Sequence, residues 1–147
     1  MWFPTLPFNI IPVITWMFPV PQLHPDDLKM AVQVTQVMAA RSTVASVRSG
    51  CVLVHPSTRN IISTGCNHTI AGSNQMMSAE QDLMQKLSCW GAWRCHLVTT
   101  HSPDLQAAQL LHRRGVHHVY YQHNHGNGAG ITWLRAQGHT VKRVLWQ

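Results

Sequence analysis

The sequence predicts a three-layer α/β domain, in which helices cover both faces of a mixed five-stranded sheet. Three observations lead to this fold class. Apolar residues recur at helical spacing in some segments and form short β-rich runs in others, glycine and proline separate the segments, and the resulting order is αββαβαβαβ. Because each of the later strands is reached through a helix, we expect these strands to be parallel neighbours. The 147 residues, 45% of them apolar, suffice for one domain core.

The first half of this order begins with a helix over residues 24–41, where a proline and two aspartates precede apolar residues at helical spacing. Two β-rich runs follow, at 47–55 and 60–64, and the Pro-Ser-Thr-Arg sequence between them predicts a hairpin turn. An irregular loop is expected over 65–77.

The second half alternates helices with strands. Ser102 and Pro103 are expected to open one helix, since serine caps free amide groups and proline fits a first turn. Because ligands of such sheets bind where helix starts meet strand ends, we expect a site near the helix starts at Ala79 and Pro103. The predicted helices cover 79–87, 103–114 and 130–137, and the predicted strands cover 95–100, 116–122 and 140–145.

Residues 1–23 form a separate segment, which carries no charge and contains five prolines. Repeated prolines disfavour a membrane-spanning helix, and a signal peptide would begin with basic residues. We therefore expect an extended apolar arm on residues 1–23 and a folded domain on 24–147. The large side chains of the arm, among them Trp2, Phe3 and Trp16, are expected to bind other protein subunits, with folding back on the domain as the alternative.

The charge pattern suggests a covered or nucleic-acid-binding surface. Only 11% of residues are charged although the net charge is +6, so part of the surface is expected to contact a partner. No acidic residue follows Asp104, and the basic residues after it are candidates for a nucleic-acid or partner contact, a solvated basic face being the alternative. These residues are Arg113, Arg114, Arg135, Lys142 and Arg143.

The spacing of the cysteines indicates a cellular compartment, whereas the number of histidines does not indicate a metal site. The four cysteines lack a CxxC pair and the dense spacing of a secreted scaffold, which favours a reduced intracellular compartment, either the cytosol or an organelle such as the mitochondrion. The 11 histidines are scattered, and scattered histidines are more often structural than metal-binding.

Several motifs then resemble those of the cytidine and deoxycytidylate (dCMP) deaminase superfamily over residues 24–147. Zinc nucleobase deaminases carry His-x-Glu at one helix start and Pro-Cys-x-x-Cys at the next. The chain has Ser78-Ala79-Glu80 and Pro103-Asp104-Leu105-Gln106-Ala107 at these places. Arg41-Ser42-Thr43 before the first strand and Cys66-Asn67 after the second are similar to further family segments, in the same order.

The resemblance implies a cytidine-deaminase-like fold whose zinc ligands are degenerate. The ligand positions hold Ser78, Asp104 and Ala107, so we expect no cofactor, and zinc only if other ligands rescue the site, such as Glu80, His101 or His68 beside Asp104. Glu80 occupies the family's proton-shuttle position and is expected to be vestigial, capping or solvating its helix start. Nucleotide binding through Arg41 and Asn67 is an option, and a purely loop-stabilising role for Asn67 is the alternative.

Three functions follow from this pattern. The first is an inactive deaminase-fold subunit of a larger assembly, for which a ribonucleoprotein is one option. The second is a non-catalytic partner of an active deaminase in a hetero-oligomer. The third is a working enzyme, which would be a dCMP- or cytidine-type deaminase with substituted metal ligands or a nucleotide hydrolase that reuses Glu80 and Asp104.

Overall fold

The computed structural model describes residues 20–145, which fold into four helices and seven strands. Except for residues 20–23, the predicted arm lies outside this range, and so do Trp2, Phe3 and Trp16. Within residues 20–145, none of the helices is both long and apolar enough to cross a membrane. The helices are α1 (Pro25–Ala40), α2 (Ala79–Gln85), α3 (Leu105–Arg113) and α4 (Ala129–Ala136), and the strands are β1 (Gly50–Val54), β2 (Ile61–Cys66), β3 (His68–Thr69), β4 (Met76–Met77), β5 (His96–His101), β6 (His118–His123) and β7 (Thr140–Arg143).

The main sheet has five strands in the order β2-β1-β5-β6-β7. Strand β1 pairs antiparallel with both β2 and β5, whereas β5, β6 and β7 are parallel to one another. The helices between the later strands impose this arrangement, because parallel neighbours need a crossover connection. The predicted mixed five-stranded sheet is therefore confirmed.

Helices cover both faces of the sheet, as the sequence predicted. All five residues of β1 are buried, and their side chains alternate between two cores. Val52 and Val54 pack in the core that includes Val32 of α1. Cys51 and Leu53 pack in the larger core, to which α2, α3 and α4 contribute. This layering brings the starts of α2 and α3 to the same end of the sheet, beside the carboxyl end of β5.

Gly65 of β2 lets this strand run directly against α2. A Cβ atom at this position would lie 2.3 Å from the carbonyl oxygen of Ala79 and 2.7 Å from the backbone nitrogen of Leu83. Both atoms belong to the backbone and have little freedom to move. The close contact fixes Cys66 and the residues after it next to α2.

Two local predictions are wrong. The loop predicted as irregular over 65–77 contains a second, two-stranded sheet made of β3 and β4. Helix α3 is capped by Asp104 rather than by Ser102, because the Asp104 carboxylate accepts a hydrogen bond from the Ala107 backbone N–H at 2.7 Å. The hydroxyl of Ser102 instead donates to the backbone carbonyl of His125 at 3.2 Å.

A candidate active-site pocket and a candidate metal site

A pocket of about 210 Å³ opens where α2 and α3 begin. The carboxyl ends of β5 and β6 lie beside it, as expected for the ligand site of a parallel sheet. Its wall includes the polar side chains of Asn67, Ser78, Glu80, His101, Asp104 and His125.

Glu80 lies in the first turn of α2 and is only 5% exposed. Burial, assisted by the negative charge of Asp104, raises the pKa of Glu80 to about 7, against the opposing effect of local hydrogen bonds. Glu80 was expected to cap or solvate its helix start; its carboxyl group is buried rather than solvated, and it makes local hydrogen bonds with its own backbone and with the Ser78 side chain. Ser78 is the cap, since its hydroxyl accepts from the Gln81 N–H at 3.2 Å while the Gln81 side chain accepts from the Ser78 N–H at 3.0 Å.

The three predicted ligand positions do not supply a zinc site. Ser78 offers a hydroxyl that already caps α2, and Asp104 offers a carboxylate that caps α3. Ala107 is a buried methyl group with no donor atom. Catalytic zinc takes three protein ligands from thiolate, imidazole and carboxylate groups, so a zinc ion at these positions has one suitable donor.

Asn67 reaches the pocket wall but is held by the surrounding loops. Its side-chain oxygen accepts hydrogen bonds from the Ser42 hydroxyl at 2.6 Å and the Ser49 backbone N–H at 2.8 Å. Its amide nitrogen donates to the Val47 carbonyl at 2.7 Å. Arg41, the other predicted nucleotide-binding residue, is exposed at the end of α1 and is not part of the pocket wall.

Two histidines complete the pocket, and His125 had not been predicted. The backbone N–H of His125 donates to the Ser102 hydroxyl at 2.8 Å, which holds the residue after β6 near the end of β5. His101 contacts the Thr100 hydroxyl through Nδ1 at 3.0 Å. Burial, with smaller effects from His123 and His125, lowers the pKa of His101 and favours its neutral form. The parallel pairing of β5 with β6 sets His101 opposite His123, and His125 follows two residues later, so histidines at the ends of two strands predicted to be parallel were a usable signal.

The basic residues of the C-terminal half do not act only as surface charges. Arg114 donates to three backbone carbonyls at the end of α2 and just after it. Arg135 and Arg143 each donate to a backbone carbonyl, of Val141 and Gln122, at 2.9 and 3.1 Å. The side chains of Arg113 and Lys142 are exposed. A nucleic-acid or partner contact by these residues stays a prediction.

Cys66, His68 and Asp82 form a second cluster, next to α2. One ligand atom from each residue lies within 4.8 Å of the others, and no other group of three such residues is found in the described part of the chain. Thiolate, imidazole and carboxylate are all zinc ligands. The sequence does not show that Cys66 and His68 meet Asp82, although a Cys-x-His sequence at a strand end was a usable signal.

Comparisons with known proteins agree with the motifs. The model of the cytidine and deoxycytidylate deaminase zinc-binding region matches residues 25–123. The dCMP deaminase of cyanophage S-TIM5, in complex with dCMP and dUMP, is 22% identical with a TM-score of 0.74, covering 84% of this chain and 100% of the phage chain. The Rib2 deaminase of Aspergillus oryzae is 17% identical with a TM-score of 0.67, and the likeness covers 82% of this chain and 85% of the Aspergillus chain. These likenesses show a shared fold. The curated proteins contain no significant match.

These findings correct one expectation and confirm another. The prediction of no cofactor is wrong, because the matched model describes a zinc-binding region and because Cys66, His68 and Asp82 supply a donor set that could hold zinc. The resemblance drawn from the motifs is confirmed, since the match covers more than half of the sequence. The chain belongs to the cytidine and deoxycytidylate deaminase family.

Proposed function

We propose that this chain acts on cytosine nucleotides or nucleosides, as a deaminase of its family in which the metal ligands have been substituted. The pocket between the starts of α2 and α3 supports the proposal, because it corresponds to the motif positions at which the family binds and converts its substrate. The fold is also that of the cyanophage dCMP deaminase, which was crystallised with dCMP and dUMP.

The observation that carries the proposal is the position of Glu80. This carboxyl group is buried in the pocket wall, while the neighbouring Ser78 and Gln81 form the capping box of α2. Deamination replaces the exocyclic amino group of cytosine by an oxygen from water and releases ammonia. A group that takes a proton from water and passes it to the leaving amine is required. Glu80 is the pocket residue at the family position for this role.

The substituted ligands would have to come from the same wall. Ser78 and Ala107 do not fit a metal, whereas His101, His125 and Asp104 offer two imidazoles and a carboxylate. Their donor atoms are not grouped as closely as those of Cys66, His68 and Asp82 in the structure.

Turnover tests this function directly. The purified chain, supplied with Zn²⁺, is incubated with dCMP or cytidine, and ammonia release is measured. Glu80→Gln keeps the size of the side chain and should lower the rate by about 10²–10⁴-fold, the usual contribution of a general acid–base group. Asp26→Asn, an exposed carboxylate on α1, is the matched control and should leave the rate unchanged. Absence of both turnover and binding for dCMP and cytidine would contradict the proposal.

A second candidate is the non-catalytic partner of an active deaminase. The observation that favours it is that Ser78 and Asp104 are used as helix caps while Ala107 has no donor. Exposed Trp90 and Trp93, 75% and 54% accessible, offer an apolar surface to such a partner. Native purification should then yield a second chain that has both His-x-Glu and Pro-Cys-x-x-Cys. A chain that is monomeric in its native extract would exclude this candidate.

The role of a structural subunit in a larger assembly is also a proposal. It depends on the arm of residues 1–23 and on the exposed basic side chains of Arg113 and Lys142. Truncation of the arm should release the chain from its native complex while the core keeps its fold. Release caused equally by charge reversal at Arg113 and Lys142 would point to a nucleic-acid component, since phosphate contacts depend on such charges.

A further inference from the structure

We propose that Cys66, His68 and Asp82 bind a zinc ion that joins the end of β2 and the start of β3 to α2. This site is separate from the family's ligand positions at Ser78, Asp104 and Ala107. The inference does not depend on the proposed deaminase function, because it uses other residues and predicts a bound metal rather than a reaction.

The donor set selects the kind of metal. A soft thiolate, an imidazole and a carboxylate together suit zinc, whereas Mg²⁺ and Ca²⁺ prefer oxygen ligands only. The three ligand atoms lie within 4.8 Å of one another. Zinc binds such atoms at about 2.0–2.3 Å, so the ion would draw them slightly closer. Cys66 and His68 are partly exposed, which leaves room for water as a fourth ligand.

Existing contacts already hold Asp82 in place. Its side chain is 10% exposed, and one carboxylate oxygen accepts from the Cys66 backbone N–H at 3.1 Å while the other accepts from the Gln85 amide at 2.9 Å. The His68 imidazole approaches the same carboxylate at 4.0 Å. Lys86 contacts Asp82 at 3.4 Å and is the cation that zinc would displace. The cluster is thus largely formed before the metal binds.

The position of the cluster separates it from the pocket. Residues two apart on a helix project about 200° from each other, so Asp82 faces away from Glu80 on α2. Between β2 and β3, Asn67 contributes to the pocket wall while its neighbours Cys66 and His68 belong to the cluster. Zinc would therefore fix the junction of β2 and β3 to the helix that forms one side of the pocket. Its role is structural support of the pocket.

Metal analysis of the purified full chain tests the site. After loading with Zn²⁺ and removal of excess ion, we expect the wild-type chain to hold one zinc that depends on Cys66 and His68, and Co²⁺ in its place should give a thiolate-to-cobalt charge-transfer band. Cys66→Ser keeps the backbone N–H bond to Asp82, and His68→Gln keeps a polar side chain. Each substitution should weaken zinc binding at least about a hundredfold. Removing a residue that only hydrogen-bonds to a metal ligand already lowers metal affinity by about 10–100-fold, and these substitutions remove a ligand itself.

Two matched controls make the result decisive. Cys89→Ser removes an exposed cysteine outside the cluster, and Glu80→Gln removes the pocket carboxyl group, and both variants should keep the zinc and the cobalt band. The inference is overturned if the wild-type chain binds no zinc, or if Cys66→Ser and His68→Gln bind it as tightly as the wild type. Loss of zinc in Glu80→Gln alone would place the ion in the pocket and would also overturn it. Retained zinc without turnover would count against the deaminase function only.

Discussion

His96 and His118 should make the stability of this fold sensitive to mild acid. The two residues are paired in register at the amino ends of β5 and β6, where they are 0% and 7% exposed. His96 Nε2 lies 3.2 Å from His118 Nδ1, and His96 Nδ1 is buried without a hydrogen-bond partner among the described residues. Burial, with smaller effects from neighbouring histidines, lowers the pKa of His96 to about 3 and that of His118 to about 4.

The sign of the effect follows from these shifts. Both imidazoles stay neutral in the folded chain, whereas the unfolded chain takes up protons near the ordinary histidine pKa of about 6.5. The free energy of unfolding is therefore unaffected above that pH and falls as the pH decreases from about 6.5 towards 4. At pH 5 protonation of each histidine stabilises the unfolded chain by about 2 kcal/mol. The pair therefore lowers the free energy of unfolding by about 4 kcal/mol.

Urea unfolding at pH 7 and at pH 5 measures this loss. His118→Gln keeps a polar side chain and should reduce the difference between the two pH values by about 2 kcal/mol, the contribution of one histidine. The control is His123→Gln, which changes an exposed histidine on the same strand and should leave most of the difference in place. If His118→Gln loses as much stability between pH 7 and pH 5 as the wild type, the neutral histidine pair is not the cause.

Three further predictions concern the pocket wall and the packing of β2 against α2. Gly65→Ala places a methyl group 2.3 Å from the Ala79 carbonyl oxygen and should lower the free energy of unfolding in urea by about 1–3 kcal/mol, or more if the backbone cannot shift. Asp104→Ala removes the cap of α3 and should cost about 0.5–2 kcal/mol, whereas Gln106→Ala, at an exposed site on the same helix, should cost less than about 0.5 kcal/mol. Asn67→Ala leaves its serine partners without an acceptor and should lower Tm and weaken any dCMP binding together, while binding weakened with an unchanged Tm would contradict a loop-holding role.

The sequence was sufficient to predict the main sheet and its helices, since these depend on periodicity over long segments. It did not predict β3 and β4, because two strands of two residues each carry no periodic signal. The cap of α3 was assigned to Ser102 instead of Asp104, because both are good capping residues and only the three-dimensional contacts distinguish them. A missing periodic signal explains the first error and competition between two equivalent capping residues the second, while the fold class was predicted correctly.

In the candidate sites, too, the sequence predicted what is continuous along the chain and missed what only packing brings together. Glu80 and the two helix starts were predicted because their motif is continuous in the sequence, whereas Asp82 joins Cys66 and His68 only through the packing of α2 against β2. That packing depends on Gly65, which brings the helix and the strand close together. The same short helix thus presents Glu80 to a pocket whose family ligand positions keep a single zinc donor, and Asp82 to a cluster of three. Missing donors at the family positions therefore do not mean that the chain has no metal, because Cys66 and His68 offer donor atoms next to Asp82 on that helix.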